Sequence, residues 1–244
     1  MSVLMNDCVL HKETLLTKAA AACLTLNHTG KMEDHFSMNG DLQNSFCDHM
    51  RNNENSICHS CYVPALPWYK SLLKKYAAAV VLQNVVIPVQ EMPLVSGFSE
   101  GRFNAFSELH NVTEAINFLN FTIKNSHINF GLWSKRPELI KAAFDKTGYK
   151  KPENLNIVYS DPIINGSENA LEIMNKYYID GVRMIDRIFI VVTLDFAVKH
   201  EIKINCCRKC NACKDSCYTV CNADIVYELL KCDQKKGMKA GKYQ

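Results

Sequence analysis

Cysteine is the residue type in this chain whose number and spacing suggest chemistry. The 244 residues include 12 cysteines, and seven of them lie between Cys206 and Cys232. A chain of this length can bury a full hydrophobic core without stabilisation by disulfide bonds. Cysteines two residues apart also cannot satisfy disulfide geometry in several pairs at once. The local density therefore favours metal binding over a disulfide framework.

The C-terminal cysteines form a tight array. From its second cysteine the spacing is C-x2-C-x2-C-x3-C, the run of bacterial ferredoxins without the final proline, and this spacing selects Cys207, Cys210, Cys213 and Cys217. Thiolates this close can converge on one cubane cluster, whereas structural zinc sites more often use two C-x2-C pairs that lie farther apart. The array predicts an iron–sulfur cluster, with zinc or redox-active cysteines as the alternatives.

A second, looser group lies upstream in the order C-x10-C-x2-C and consists of Cys47, Cys58 and Cys61. Three cysteines leave one iron of a [4Fe-4S] cluster without a protein ligand, and an exogenous ligand such as S-adenosylmethionine can bind there. A structural zinc site completed by His49 or His59 accounts for the same residues equally well. The remaining upstream cysteines, Cys8 and Cys23, are expected to be small buried hydrophobic residues.

These groups need a scaffold, and the chain beyond Pro93 predicts an alternation of strands and helices. Strands are expected over residues 102–106, 128–133, 155–159, 188–192 and 202–204, with 24–26 as a first strand. Helices are expected over 67–84, 113–124, 137–144 and 196–200. We therefore expect an α/β fold, a partial (β/α) barrel of about six parallel strands. A doubly wound open sheet is the alternative.

Polar side chains follow the predicted strands at their carboxyl ends. They are Glu108, His110, Ser134, Lys135, Ser160, Asp161, Thr193 and Cys206. This rim carries the ligands of (β/α) barrels and of open α/β sheets. We predict catalytic roles for Glu108 and His110 and a cofactor contact for Ser160. Lys135 is expected to be a solvated residue in the first turn of a helix, and Asn111 is expected to cap a helix.

Several segments resemble the gene-product-88 family of phage proteins. They are FCDHMRNNENSICHSCYV at 46–63, GRFNAFSELHNVTEAINFLN at 101–120, INFGLWSKRPELI at 128–140, KPENLNIVYSDPIIN at 151–165 and INCCRKCNACKDSCY at 204–218. The resemblance covers most of the chain from Lys31 to Tyr218. The CHSCY element at 58–62 and the WSKRP stretch at 133–137 are also similar to phage proteins of radical-SAM-like character.

The resemblance implies a phage or prophage origin, cysteine-bound iron–sulfur and a barrel related to radical SAM enzymes. The upstream group would hold the catalytic cluster, although its ten-residue gap departs from the usual C-x3-C-x2-C. Glu108 would bind the amino group of S-adenosylmethionine, and the C-terminal array would hold an auxiliary cluster. The Ile-Asn-Cys start of that array points to Cys206 as the first ligand, whereas the ferredoxin spacing points to Cys207.

Composition sets the remaining limits. Charged residues make up 22% of the chain and the net charge is +3, so a nucleic-acid partner is allowed but not indicated by charge. The apolar run 14–26 contains Lys18 and is too short to span a membrane. We expect a protein of the bacterial host's cytoplasm, without a signal peptide or membrane association, whose substrate or protein partner is unknown. Residues 1–205 are expected to form the barrel-like domain and 206–244 the cluster-binding segment.

Overall fold

The structure is a computed structural model that describes residues 15–27, 35–206, 217–218, 224–230 and 233. Its main element is a seven-stranded sheet, and a separate two-stranded hairpin (β6 and β7) lies between the fifth and sixth strands of that sheet in the chain. The strands of the described residues are β1 Leu24–Asn27, β2 His35–Met38, β3 Glu100–Phe103, β4 Asn129–Ser134, β5 Leu155–Ser160, β6 Tyr178–Ile179, β7 Val182–Arg183, β8 Arg187–Val192 and β9 Ile225–Leu229.

The strands of the sheet lie side by side in chain order, β1-β2-β3-β4-β5-β8-β9. β1 is antiparallel to β2, and every other neighbouring pair is parallel. A (β/α) barrel has this sequential order, whereas the order of a doubly wound sheet reverses part-way. The predicted α/β class with a mostly parallel sheet is confirmed. In the described part of the chain the sheet is open, with β1 and β9 at its edges.

The strands differ from the predicted ones in several places, including residues 102–106, where β3 is instead Glu100–Phe103. Residues 24–26 do form β1, but β1 runs antiparallel to its neighbour. β2 was not predicted because it has only four residues and no β-branched side chain, so its short polar–apolar alternation is a weak signal. Residues 202–204 contribute a single bridge at Ile204 rather than a strand. The last parallel strand is instead β9, which follows the cysteine array.

The helices mostly connect successive strands of the sheet. They are α1 Leu15–Ala22, α2 Ser45–Arg51, α3 Tyr69–Tyr76, α4 Val80–Asn84, α5 Val112–Lys124, α6 Pro137–Thr147, α7 Ala170–Met174 and α8 Leu194–Lys199, with 3-10 turns at Val63–Ala65, Ala77–Ala79 and Val89–Glu91. The predicted helix 67–84 is divided in two, because the turn Ala77–Ala79 separates α3 from α4. Within the described residues no helix has the length and apolar character needed to cross a membrane.

Phenylalanine side chains form the contact between the sheet and α5. The Phe103 ring stacks on Phe118 of α5, with 4.5 Å between centroids, and on Phe130 of β4 at 5.1 Å. Phe36 of β2 meets the edge of Phe130 at 5.9 Å. Gly101 makes room for this packing, since a Cβ there would lie 2.4 Å from the Phe36 ring. The aromatic layer fixes the sheet against one layer of helices.

The opposite face of the sheet is polar. The His35 Nε2 atom lies 2.8 Å from a Glu100 carboxylate oxygen, and the Arg102 guanidinium stacks 4.3 Å from the centroid of Trp133. Tyr218 packs on this face, with its ring 5.0 Å from His35 and 5.6 Å from Trp133. The residue that follows the last cysteine of the C-terminal array is therefore anchored over the middle of the sheet.

Candidate functional site

The upstream cysteines follow β2 and are held at the carboxyl end of the sheet. Asn44 caps α2 by accepting hydrogen bonds from the backbone N–H groups of Phe46 (2.9 Å) and Cys47 (3.4 Å). Its amide also donates to the Glu108 carbonyl at 2.8 Å. One side chain thus caps the helix that carries Cys47 and ties it to the loop after β3.

The loop that carries Cys58 and Cys61 is attached to a different part of the rim. Its Ile57 N–H donates to the carbonyl of Pro162 at 2.8 Å, and Asn55 accepts from the backbone N–H of Ile164 at 2.8 Å. Residues 162–164 lie just after β5. Within the loop, the Cys61 N–H donates to the Cys58 carbonyl at 3.1 Å. The upstream group therefore reaches from the end of β2 to the end of β5.

Glu108 lies beside this group and is only 2% exposed. Its Oε1 accepts from the Ser134 hydroxyl (2.5 Å) and the Leu109 N–H (2.9 Å). Its Oε2 accepts from the Lys135 N–H at 3.0 Å, and the Lys135 ammonium lies 3.6 Å away. The structure thus brings together three of the predicted rim residues, because β3 and β4 are neighbours and end at the same edge.

Lys135 is not the solvated lysine that the sequence suggested, since its side chain is only 17% exposed. β4 extends to Ser134 and α6 starts at Pro137, so Lys135 lies in the turn between them rather than in a helical turn. Burial alone would lower the pKa of its ammonium. Negative groups outweigh burial and raise that pKa; in order of effect they are Glu108, Cys58, Cys47 and Cys61. All three upstream cysteines are thus electrostatic neighbours of one buried cation.

Burial raises the pKa of the Cys47 thiol to about 12, and the negative charge of Glu108 adds to the effect. Lys135 and Arg51 act in the opposite direction. Cys47 therefore carries its proton at neutral pH, and a bound metal ion would have to displace that proton. Among the described residues, no three His, Cys, Asp or Glu side chains are grouped so as to hold a metal ion. The three upstream thiols share Lys135 as a neighbour without converging on one point.

His110 is built into a different network. Its Nδ1 and its backbone N–H both face Glu114 Oε2, at 3.1 and 2.7 Å, and its Nε2 lies 3.1 Å from the Gln43 carbonyl. Burial opposes the charged imidazole, but Glu114 and the Gln43 carbonyl outweigh burial and raise the pKa of His110. Both ring nitrogens of the imidazolium donate to protein acceptors.

The other rim residues predicted from sequence hold the loops at the strand ends. Ser160 is buried at the end of β5. The Asp161 carboxylate accepts from the backbone N–H groups of Ile163 (2.9 Å) and Ser167 (2.8 Å), so it shapes the loop to which the cysteine segment is attached. Thr193 caps α8 by accepting from the Phe196 N–H at 3.3 Å.

Two cysteines of the C-terminal array belong to the described residues. The backbone N–H of Cys206 donates to the Tyr227 carbonyl of β9 at 3.1 Å, and the adjacent Asn205 side chain binds both the Tyr227 N–H and the Ile225 carbonyl. Cys217 precedes Tyr218 on the polar face. The predicted ligands Cys207, Cys210 and Cys213 lie outside the described residues, as does Cys8. Cys23 is fully buried, as expected.

Sequence reasoning missed two residues that assemble the rim. Asn44 is one of them. Arg136 is the other: its guanidinium donates to the carbonyls of Leu109 (3.2 Å) and His110 (2.9 Å) and lies 5.4 Å from the Phe46 ring. The only signal in the sequence was the position of Arg136 between a strand and a helix-starting proline, which does not reveal its partners.

The chain was compared with protein-family models, with curated proteins and with solved structures, and no match was found in any of the three. The function is therefore argued from the residues of the site itself.

Proposed function

We propose that this protein binds iron–sulfur through its two cysteine groups, with a [4Fe-4S] cluster at Cys47, Cys58 and Cys61 and an auxiliary cluster at the C-terminal array. The observation that supports the proposal most directly is the placement of the upstream group. Three cysteines from two separately anchored segments lie at the carboxyl end of a parallel sheet, near one buried lysine. This is the edge where α/β proteins hold their cofactors.

The residue types and their burial support the cluster, whereas the described residues contain no preformed metal-binding group, so the three thiols would have to move together to bind it. Cys58 is buried, Cys47 and Cys61 are half-buried, and their surroundings offer a cation rather than competing carboxylate ligands, since both oxygens of Glu108 already accept hydrogen bonds. A bound cluster would supply one-electron chemistry, and its fourth iron would accept an exogenous ligand such as S-adenosylmethionine. We propose on this basis a radical-SAM-like enzyme on a partial (β/α) barrel, of phage or prophage origin, with its substrate unidentified.

A second function is favoured by a specific observation. The carboxylate of Glu108 and both ring nitrogens of His110 are engaged by protein partners, so neither predicted catalytic group offers a vacant position for proton transfer. A non-enzymatic protein, in which iron–sulfur or zinc organises a surface for a protein or nucleic-acid partner, needs no such position. This is the alternative to the enzyme.

The first test is metal analysis after anaerobic purification of three proteins. They are the wild type, the triple variant C47A/C58A/C61A and the control C23A, in which a buried cysteine outside both groups is removed. We expect about four iron and four sulfide per cluster in the wild type, loss of about half of the iron in the triple variant and no loss in the control. Stoichiometric zinc without iron, or unchanged iron in the triple variant, would contradict the proposal.

The enzyme is then distinguished from the non-enzymatic protein by reduction and incubation with S-adenosylmethionine. Reductive cleavage that is lost in the triple variant supports the enzyme. Iron at both sites with neither binding nor cleavage of S-adenosylmethionine leaves the non-enzymatic function.

A further inference from the structure

Segment 40–44 leads from β2 into α2, and its last two residues are fixed by other parts of the rim. The Asn44 amide donates to the Glu108 carbonyl at 2.8 Å. The Gln43 carbonyl lies 3.1 Å from the Nε2 atom of His110, which precedes α5. This carbonyl and the Asn44 N–H belong to one planar peptide group, so the contact with His110 fixes the direction in which the chain enters α2.

Both ring nitrogens of His110 face oxygens that accept hydrogen bonds. Nδ1 lies 3.1 Å from the carboxylate oxygen Oε2 of Glu114, and Nε2 lies 3.1 Å from the Gln43 carbonyl oxygen. An imidazolium carries an N–H on each nitrogen, whereas a neutral imidazole has one N–H and one lone pair. The neutral ring therefore cannot bind both oxygens, because one nitrogen would direct its lone pair at an acceptor within hydrogen-bond distance.

The Gln43 carbonyl is the partner that loses its donor when the ring becomes neutral. Glu114 is fully buried, and within the described residues its Oε1 has no hydrogen-bond partner. Its carboxylate therefore needs the donors at Oε2, and a proton on Nδ1 of His110 is one of them. The Gln43 residue is exposed, so water can replace the Nε2 proton at its carbonyl.

The groups around the ring favour its charged form. Burial opposes the charge, but Glu114 of α5, the Gln43 carbonyl and Asp41 outweigh burial and raise the pKa of His110. The positive group on this side is the Arg136 guanidinium, which donates to the backbone carbonyl of His110 at 2.9 Å. The contact with Gln43 is therefore fully present below about pH 6.5 and is lost as the pH rises through the higher pKa of the folded protein.

We propose that His110 is a proton-dependent link at the start of α2. With a charged imidazole, the first turn of α2 is fixed to α5. Loss of the Nε2 proton releases the Gln43–Asn44 peptide and loosens that turn, including the Cys47 N–H that Asn44 caps. Leu42 is buried in the core, so we expect the change to be confined to the start of α2. The contacts of His110 involve no cysteine side chain, and the inference is independent of the proposed function.

The test is a pH titration of the isotope-labelled full-length protein by NMR, from about pH 5 to about pH 10. The imidazole signals report the protonation of His110. The Cα and Cβ chemical shifts of residues 44–47 report the helical conformation of the first turn of α2. We expect His110 to titrate above the ordinary value of about 6.5, and the helical shifts of residues 44–47 to decrease as the pH rises through that midpoint. The shifts of α6 should stay constant and serve as the internal reference.

Two variants complete the experiment. H110Q removes the titratable ring and should abolish the transition, whereas H200Q changes an exposed histidine and should retain it. The wild-type titration needs neither variant, so a folding defect in H110Q leaves the first result valid. Helical shifts of residues 44–47 that stay unchanged through the His110 midpoint overturn the inference. Titration of His110 at or below about 6.5, no titration over the whole range, or a wild-type transition in H110Q also overturns it.

Discussion

Two acidic residues near the rim, Glu108 and Glu114, differ in how many of their carboxylate oxygens accept hydrogen bonds. Both Glu108 oxygens accept hydrogen bonds, whereas Glu114 binds His110 through Oε2, and within the described residues its buried Oε1 has no hydrogen-bond partner. Gly40 lies against that oxygen. The Glu114 carboxylate is therefore bound through one oxygen, by the backbone N–H and the imidazole of His110.

This pairing predicts a pH dependence of stability. Because the folded protein raises the pKa of His110, the contribution of its charged form is fully present below the unfolded value of about 6.5. It is lost as the pH rises through the folded value. We expect the difference in unfolding free energy between the wild type and H110Q to be larger at pH 6 than at pH 9. Glu114, Asp41 and the Gln43 carbonyl are the groups that face the imidazole.

Urea unfolding at both pH values measures this difference, and H200Q, which changes an exposed histidine, is the control. A difference between wild type and H110Q that is independent of pH would show that folding does not shift the pKa of His110, and a smaller difference at pH 6 than at pH 9 would show that folding lowers it.

Glu108 gives a second prediction at the residue scale. In E108Q an amide NH2 replaces one of two acceptor oxygens, and either orientation sets it against buried donors. We expect a loss of about 2–3 kcal/mol in unfolding free energy, measured by urea denaturation. E172Q, at an exposed position of α7, should change stability by less than about 0.5 kcal/mol. Equal stability of E108Q and the wild type would mean that these hydrogen bonds are not formed.

At the scale of elements, α5 does more than cover the sheet, because its asparagines bind the irregular segment 85–95. The Asn117 side chain accepts from the Ile87 N–H at 2.7 Å and donates to the carbonyls of Leu82 and Val85. Asn125 accepts from the Val95 N–H at 2.8 Å in the same way. These side chains satisfy the backbone groups that a helix or strand would otherwise satisfy.

Substitution N117A should therefore destabilise the protein by about 3 kcal/mol, since three buried backbone groups lose their partner. It should also expose segment 85–95 to limited proteolysis. N175A removes an exposed asparagine at the end of α7 and should have little effect on either measurement. Wild-type protease resistance in N117A would show that the segment is held by packing alone.

Elements with long periodic patterns were predictable from the sequence, and short ones were not. α5 has a clear apolar face and an Asn111 cap, which accepts from Glu114 N–H at 3.0 Å as expected, and α6 begins at Pro137 as predicted. β2 and β9 were missed because segments of four or five residues carry little periodic pattern of their own. In such short segments, tertiary contacts with neighbouring strands decide whether a strand forms.

For the candidate site, the residue types were predictable from the sequence, whereas their contacts were not. The sequence supplied the residue types and their place after strands, so Glu108, Ser134 and Lys135 were found. Their mutual contacts depend on β3 and β4 being neighbours, which no local pattern reveals. The burial of Lys135 and the dual contact of Asn44 could therefore be obtained only from the assembled sheet.

For the molecule as a whole, the described cysteines of the two groups are attached to different parts of the sheet. The upstream group lies at the carboxyl end of the sheet, whereas Cys206 is paired beside β9 at the edge. Tyr218, directly after Cys217, lies on the polar face against Trp133. Trp133 in turn is two residues from Lys135, so a packed and covalent path leads from Tyr218 across the polar face to the rim.

The isolated β-bridge between Ser56 and Ile163 has a consequence for the order in which the site forms during protein synthesis. The segment with Cys58 and Cys61 leaves the ribosome more than 100 residues before the strand-end loop that holds it. Until that loop has emerged, Cys58 and Cys61 lack the anchor that brings them to the rim, where Asn44 holds the helix of Cys47. Under the proposed function, a nascent chain exposes these thiols to oxidants and to competing metals, and loading of the upstream cluster waits until synthesis has passed Ile164.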